Sequence, residues 1–158
     1  MTPWVTRLIV ANVICYALTT LLLGTGDDSL RHKGYLLLQW LVLVPREALW
    51  KPWTVVTYMF LHGGMGHILF NMLGLFFFGP RLEQRLGSRH FLGLYFASGI
   101  MGAALSLVFT PGAHIIGASG AVFGVFLGFA EQGRHRERHR LVARGRFAGG
   151  RGGGPGLA

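Results

Sequence analysis

The chain has 158 residues, 51% of them apolar, and a formal net charge of +9. The apolar residues come in long blocks, not at the half-buried periods of a soluble fold, which excludes a soluble globular domain and places the chain in a membrane. The charge does not mark a nucleic-acid face: seven of the fifteen Lys and Arg residues are arginines between Arg134 and Arg151, and the other eight sit mostly at the ends of apolar blocks.

The first block, "WVTRLIVANVICYALTTLLL" (4–23), is long enough to span. Only Arg7 precedes its apolar core and no small-x-small cleavage site follows, so it reads as a retained helix, not a signal peptide. Cys15 within it has no partner thiol and reads as packing filler. Residues 24–53 form a long connection whose apolar patch, 35–44, is too short to span and ends at Pro45; it reads as a re-entrant or interfacial element. Trp40, Trp50 and Trp53 suit the headgroup zone.

A second apolar block covers 54–80, its spanning helix expected from about 64, and closes in a charged turn, "PRLEQRLGSR" (80–89). The third span is expected over 91–110, stopped by Pro111 and Gly112, and the fourth over 115–130. Together they make an all-α polytopic membrane domain, residues 1–131. Arg81, Arg85, Arg89 and the arginine-rich tail follow even-numbered spans, so the N-terminus and the tail are expected in the cytoplasm. Residues 132–158 are Arg- and Gly-rich without an apolar period and are expected to be disordered. The abrupt change after Glu131 also suits a reading-frame shift, so both a genuine tail and a frameshift product stay open.

Two stretches carry the chemistry. In "HGGMGHILFN" (62–71), His67 and Asn71 are one helical turn apart on one face. Such groups are expensive in a membrane segment and face a protein interior or a watery cavity; interhelical hydrogen bonding accounts for them equally well. In "HIIGASGAVFGV" (114–125), Ser119 stands among glycines at the entry of the fourth span. With spans two and four both starting on the outer side, His67, Asn71 and Ser119 share one depth. A hydroxyl nucleophile with donors for an oxyanion would make an acyl-transfer site there. Gly120, Gly124 and Gly128 recur every four residues, a stripe that by itself allows close helix approach.

The segments "FLHGGMGHILFNMLG" (60–74), "LEQRLGS" (82–88) and "GASGAVFG" (117–124), in this order and with these gaps, resemble the rhomboid family of intramembrane serine proteases. The resemblance covers about residues 4–130 and implies a rhomboid-like helical bundle, with about four of the usual six spans present. It implies Ser119 as nucleophile, His67 and Asn71 as oxyanion-hole residues with the Ser119 N–H, and Gly117 and Gly120 as motif glycines. It also implies transmembrane protein substrates in the lipid bilayer, no metal and no cofactor, and a bacterial inner-membrane location. Glu83 and Arg85 match a structural polar cluster, while Thr54 stands after Trp53 where many members carry arginine.

The family's base is a histidine on a later helix in a G-x-x-x-H context. Of the seven histidines here, His135 and His139 are in the tail, His90 is on the cytoplasmic side, His32 is in the long connection and His114 is at the solvent edge. His62 is expected to pack in the loop before span two, and the family pattern assigns His67 to the oxyanion hole. The expected function is therefore an intramembrane serine endopeptidase that is inactive or weak as this chain. The alternative is a non-catalytic rhomboid-like protein that binds transmembrane clients.

Overall fold

The computed structural model describes residues 1–131, 133 and 134, so the tail expected over 132–158 lies outside the described residues but for those two positions. Its helices are α1 (Pro3–Gly24), α2 (Asp28–Leu41), α3 (Thr54–Thr57), α4 (Met65–Leu86) and α5 (Ser88–Phe109), followed by α6 (Ser119–Glu131). Single 3-10 turns occupy Pro45–Glu47 and Tyr58–Phe60, and no strand forms among the described residues. By length and composition α1 and α5 each cross a membrane, and the α3–α4 pair, bent by 98°, counts as a third span if taken as one broken element. The described part of α6 is apolar but shorter than a span.

α1 is apolar around its whole circumference and buries only Val5, Leu8 and Asn12. Leu18 and Leu21 are 54% and 71% exposed, the surface of a helix that faces lipid. Its first turn is anchored by a carboxylate: Glu83 of α4 accepts from the backbone N–H of Trp4 at 3.3 Å and of Val5 at 3.1 Å, and from the Ser88 hydroxyl at 2.9 Å. These are N–H groups that a helix start leaves without partners, and a negative charge there meets the positive end of the helix dipole. The same contact makes α1 and α4 antiparallel neighbours.

α4 does not stop where the sequence suggests. It passes through Pro80 and ends at Leu86, with Gly87 at φ 77° and its N–H on the Glu83 carbonyl at 2.9 Å. Pro80 removes one helical hydrogen bond, a loss neighbouring helices make tolerable in a membrane bundle. Here α1 comes very close: a Cβ on Gly79 would lie 2.8 Å from the Val5 side chain. Gly87 alone joins α4 to α5, so the two form a tight hairpin.

α6 lies against both. Along α5 it runs antiparallel, Gly120 facing Gly102, Gly124 facing Ser98 and Gly128 facing Leu94. Along α4 it runs parallel, Val122 meeting Gly74 and Gly128 approaching Leu82. A Cβ on Gly124 would collide with the Ser98 side chain, and one on Gly74 would lie 2.6 Å from Val122 Cγ1. The glycine stripe therefore brings α6 within backbone reach of α5.

The connection between α1 and α4 is ordered. Asp27 caps α2 by accepting from Ser29 N–H at 2.8 Å and Leu30 N–H at 3.2 Å, which is why this helix begins before the apolar patch at 35–44. Trp53 stacks on Trp40 at 5.9 Å and donates its indole N–H to the Trp40 carbonyl at 2.7 Å. Lys51 pairs with Glu47 at 3.0 Å, and that ammonium holds the Glu47 carboxyl below its ordinary range. Residues 115–118, expected to be helical, are instead irregular, opening on a bridge and closing on a bend. Ile115 forms an isolated antiparallel bridge with Leu43 through bonds of 2.8 and 3.2 Å, and this delays the start of α6 until Ser119.

Candidate active site

The site is built where three irregular segments meet: the break at 61–64, the strap at 115–118 and the start of α6. Tyr58 organises them. Its carbonyl accepts the Gly117 N–H at 2.8 Å and its hydroxyl donates to the Gly99 carbonyl of α5 at 2.7 Å. One residue thus ties the Gly117 turn to α5. As an aromatic inside an apolar block, Tyr58 carries no sequence signal of this role.

Gly117 has φ +117°, and a Cβ there would lie 2.5 Å from both Cε1 and Nε2 of His67. The position demands glycine twice over, for its backbone and for the imidazole seated on it. His67 of α4 is thereby brought against the segment two residues before Ser119. The parallel register that sets Gly74 against Val122 puts Asn71 level with Ser119. Asn71 is buried, and its amide donates one N–H to the His67 carbonyl at 3.1 Å. An amide has two N–H donors, so one remains.

Ser119 is the first residue of α6 and its side chain is exposed. Its hydroxyl and its N–H have no hydrogen-bond partner among the described residues. An N–H at that position has no intrahelical acceptor and is free to donate to an anion. Gly120 is less constrained than Gly117, since a Cβ would stand 3.6 Å from the Tyr58 hydroxyl and the Ser98 carbonyl.

His62 is the residue that sequence reasoning set aside. It is 7% exposed and packs edge-on against His67, ring centroids 5.2 Å apart. Its ring approaches the Phe60 backbone, yet neither nitrogen has a partner of hydrogen-bond geometry among the described residues. Its signal was a histidine next to a glycine pair at a helix break, which a packing histidine also shows. The other described histidines lie elsewhere: His32 on α2, His114 exposed in the strap, and His90 at the start of α5 with Nδ1 3.1 Å from the Leu86 carbonyl. Among the described residues no histidine is hydrogen-bonded to Ser119. The described residues also hold no cluster of metal-ligating side chains.

Residues 49–146 match the Rhomboid domain. Rhomboid-like protease 3 of Toxoplasma gondii is 34% identical over 129 residues, which is 82% of this chain and 47% of that protein. A Bacillus subtilis (strain 168) protein, YdcA, named as a candidate rhomboid protease, is 44% identical over 75 residues, 47% of this chain and 38% of that protein. Inactive RHOMBOID-like protein 8 of Arabidopsis thaliana is 32% identical over 104 residues, 66% of this chain and 28% of that protein. The chain thus matches less than half the length of each of these relatives. The match to the family domain extends over more than half of the chain, from the loop before α3 through the Ser119 segment: the chain belongs to the rhomboid family.

Proposed function

We propose that this chain carries the nucleophile and oxyanion side of an intramembrane serine endopeptidase that cleaves transmembrane segments of membrane proteins. The observation that carries the reading is the seat of the His67 imidazole on Gly117, two residues before an unpartnered Ser119 at a helix start. In this reading the Ser119 hydroxyl attacks the scissile carbonyl, forming a tetrahedral oxyanion. The Ser119 N–H, His67 and the remaining Asn71 N–H stabilise it. The hydroxyl proton must pass to a base and then to the leaving amine. No described residue is bonded to Ser119 to take it, and triad-type units fail almost completely when one member is missing. The chain on its own is therefore inactive or very weak, and needs neither metal nor cofactor. The arginines after even-numbered spans support an orientation with the N-terminus and the arginine-rich segment in the cytoplasm, and the membrane is in this reading a bacterial inner membrane.

The second reading is a binder of transmembrane clients that does not cut. The unaccompanied Ser119 favours it, and one relative is itself named inactive. Reaction with a fluorophosphonate probe and cleavage of a fluorogenic transmembrane substrate, in this chain and in Ser119→Ala, separate the two. Ser119-dependent labelling or cleavage at a rate typical of serine proteases would overturn the weak-activity reading. Client capture that Ser119→Ala leaves unchanged, with no labelling, would establish the binder.

A further inference from the structure

His62 is a buried titratable group that the proposed chemistry leaves unused. It stands in the break between the Tyr58–Phe60 turn and α4, with neither ring nitrogen in a hydrogen bond and neither in contact with solvent. Few groups face it. From α4, His67 packs edge-on against the ring at 5.2 Å. From α1, Tyr16 lines the same cavity, while α2 and the strap contribute the apolar Leu38 and Ile116. The Phe60 backbone lies close by, short of hydrogen-bond geometry. No carboxylate acts on the ring: Glu47 is paired with Lys51, and Glu83 is bonded at the other end of α4.

A neutral imidazole tolerates these surroundings and an imidazolium does not. The charge would be held out of water with no counter-ion, and a second imidazole would oppose it. Room for escape lies alongside. His62 borders a cavity of about 460 Å³ that it shares with Thr19 and Thr20 near the end of α1. A turn of its ring into that space displaces no helix.

His62 is also a support. Its ring packs on His67, which is seated on Gly117. The next residue, Gly63, touches the strap, since a Cβ there would lie 3.2 Å from Ile116 Cδ1. A shift of His62 therefore acts on both sides of the seat.

We propose that His62 is an acid-sensitive latch on the Ser119 site. Neutral, it holds His67 on Gly117; protonated, it swings into the adjoining cavity and the seat loosens. The closed form binds one proton fewer than the open form, so acid favours opening and a return to neutral pH restores the seat. The latch is a property of the conformation, whether or not the chain cleaves a substrate. Only its effect on an oxyanion rests on the protease reading.

The test uses the full chain in lipid nanodiscs with isotope-labelled glycine and histidine, followed by NMR from about pH 7.5 to about pH 4. The Gly117 amide, bonded to the Tyr58 carbonyl and beneath the His67 ring, reports the seat. The Gly87 amide, bonded to the Glu83 carbonyl, reports the bundle. A reversible change at Gly117 is expected to follow protonation of His62 while Gly87 stays in place. His62→Phe keeps a ring that cannot charge, and should abolish that change or move it at least about one pH unit toward acid. His62→Gln, also uncharged, replaces it if the Gly87 signal shows that phenylalanine disturbs the fold. Ser119→Ala should leave the Gly117 change as it is in the parent, which separates the latch from the cleavage reading. A Gly117 change that persists unaltered in the uncharged variants overturns the proposal. So does a Gly117 signal that stays fixed while His62 takes up its proton, or one that moves only together with Gly87.

Discussion

The two ends of α4 lie among polar groups in opposite states. Near its C-terminal end, Glu83 is 3% exposed and accepts from two backbone N–H groups and a serine hydroxyl. Near its N-terminal end, Ser119 has no hydrogen-bond partner among the described residues, and His62, packed on His67, is buried with neither nitrogen in a hydrogen bond. A buried carboxylate so bonded is architecture, since its oxygens already accept from the start of α1 and from Ser88 of α5. An unsaturated cluster gains nothing for the fold and stays open to a ligand. The polar cluster at one end of α4 thus holds the bundle, and the one gathered at its other end is open to chemistry.

The comparison breaks most sharply at Glu83. Glu83→Ala leaves the Trp4 and Val5 N–H groups without an acceptor, and a loss of about 3 kcal/mol in unfolding free energy is expected in detergent. Glu83→Gln, which keeps one acceptor oxygen, should lose about 1 kcal/mol. Ser119→Ala, at the other end, should stay within about 0.5 kcal/mol of the parent. A Ser119→Ala cost as large as that of Glu83→Ala would erase the distinction.

The α5–α6 seam comes next. Gly124→Ala drives a methyl into Ser98 and is expected to cost about 2 kcal/mol. Because the clash is with one side chain, Ser98→Gly should restore about half of that in the double variant. Additive losses would mean that the helices separate instead of repacking. At Gly120, where the space is ordinary, alanine should change stability by less than about 0.5 kcal/mol.

The smallest effect belongs to the loop pair. Lys51 lowers the Glu47 carboxyl from its ordinary 4.5, so whatever stability it adds is present above that pH. It is lost as the pH falls through the lowered value. Lys51→Met should flatten the acid limb of the unfolding curve only slightly, because an i, i+4 pair still in reach of solvent contributes little.

Much of the architecture could be read before any coordinates. Apolar blocks near twenty residues have few alternatives to membrane helices, and a serine or histidine within them draws notice because its burial is costly. Residues 62–71 and 117–124 stood out for that reason. The limits of the helices were less legible. Pro80 reads as a stop by local rules, yet α4 continues because Glu83 beyond it is bonded to the start of α1. Residues 115–118 read as the start of a span, yet Leu43, far away in sequence, holds Ile115 extended.

By itself, then, the sequence determined the helical class, the membrane setting and the residues worth suspecting, since these follow from local hydrophobicity and the cost of burying polar groups. Tertiary structure decided that His67 sits on Gly117, that Asn71 is level with Ser119 and that His62 is buried against His67. Those are relations between segments far apart in the chain. Local propensity cannot set them; they are settled only when glycines without side chains let the helices close on one another.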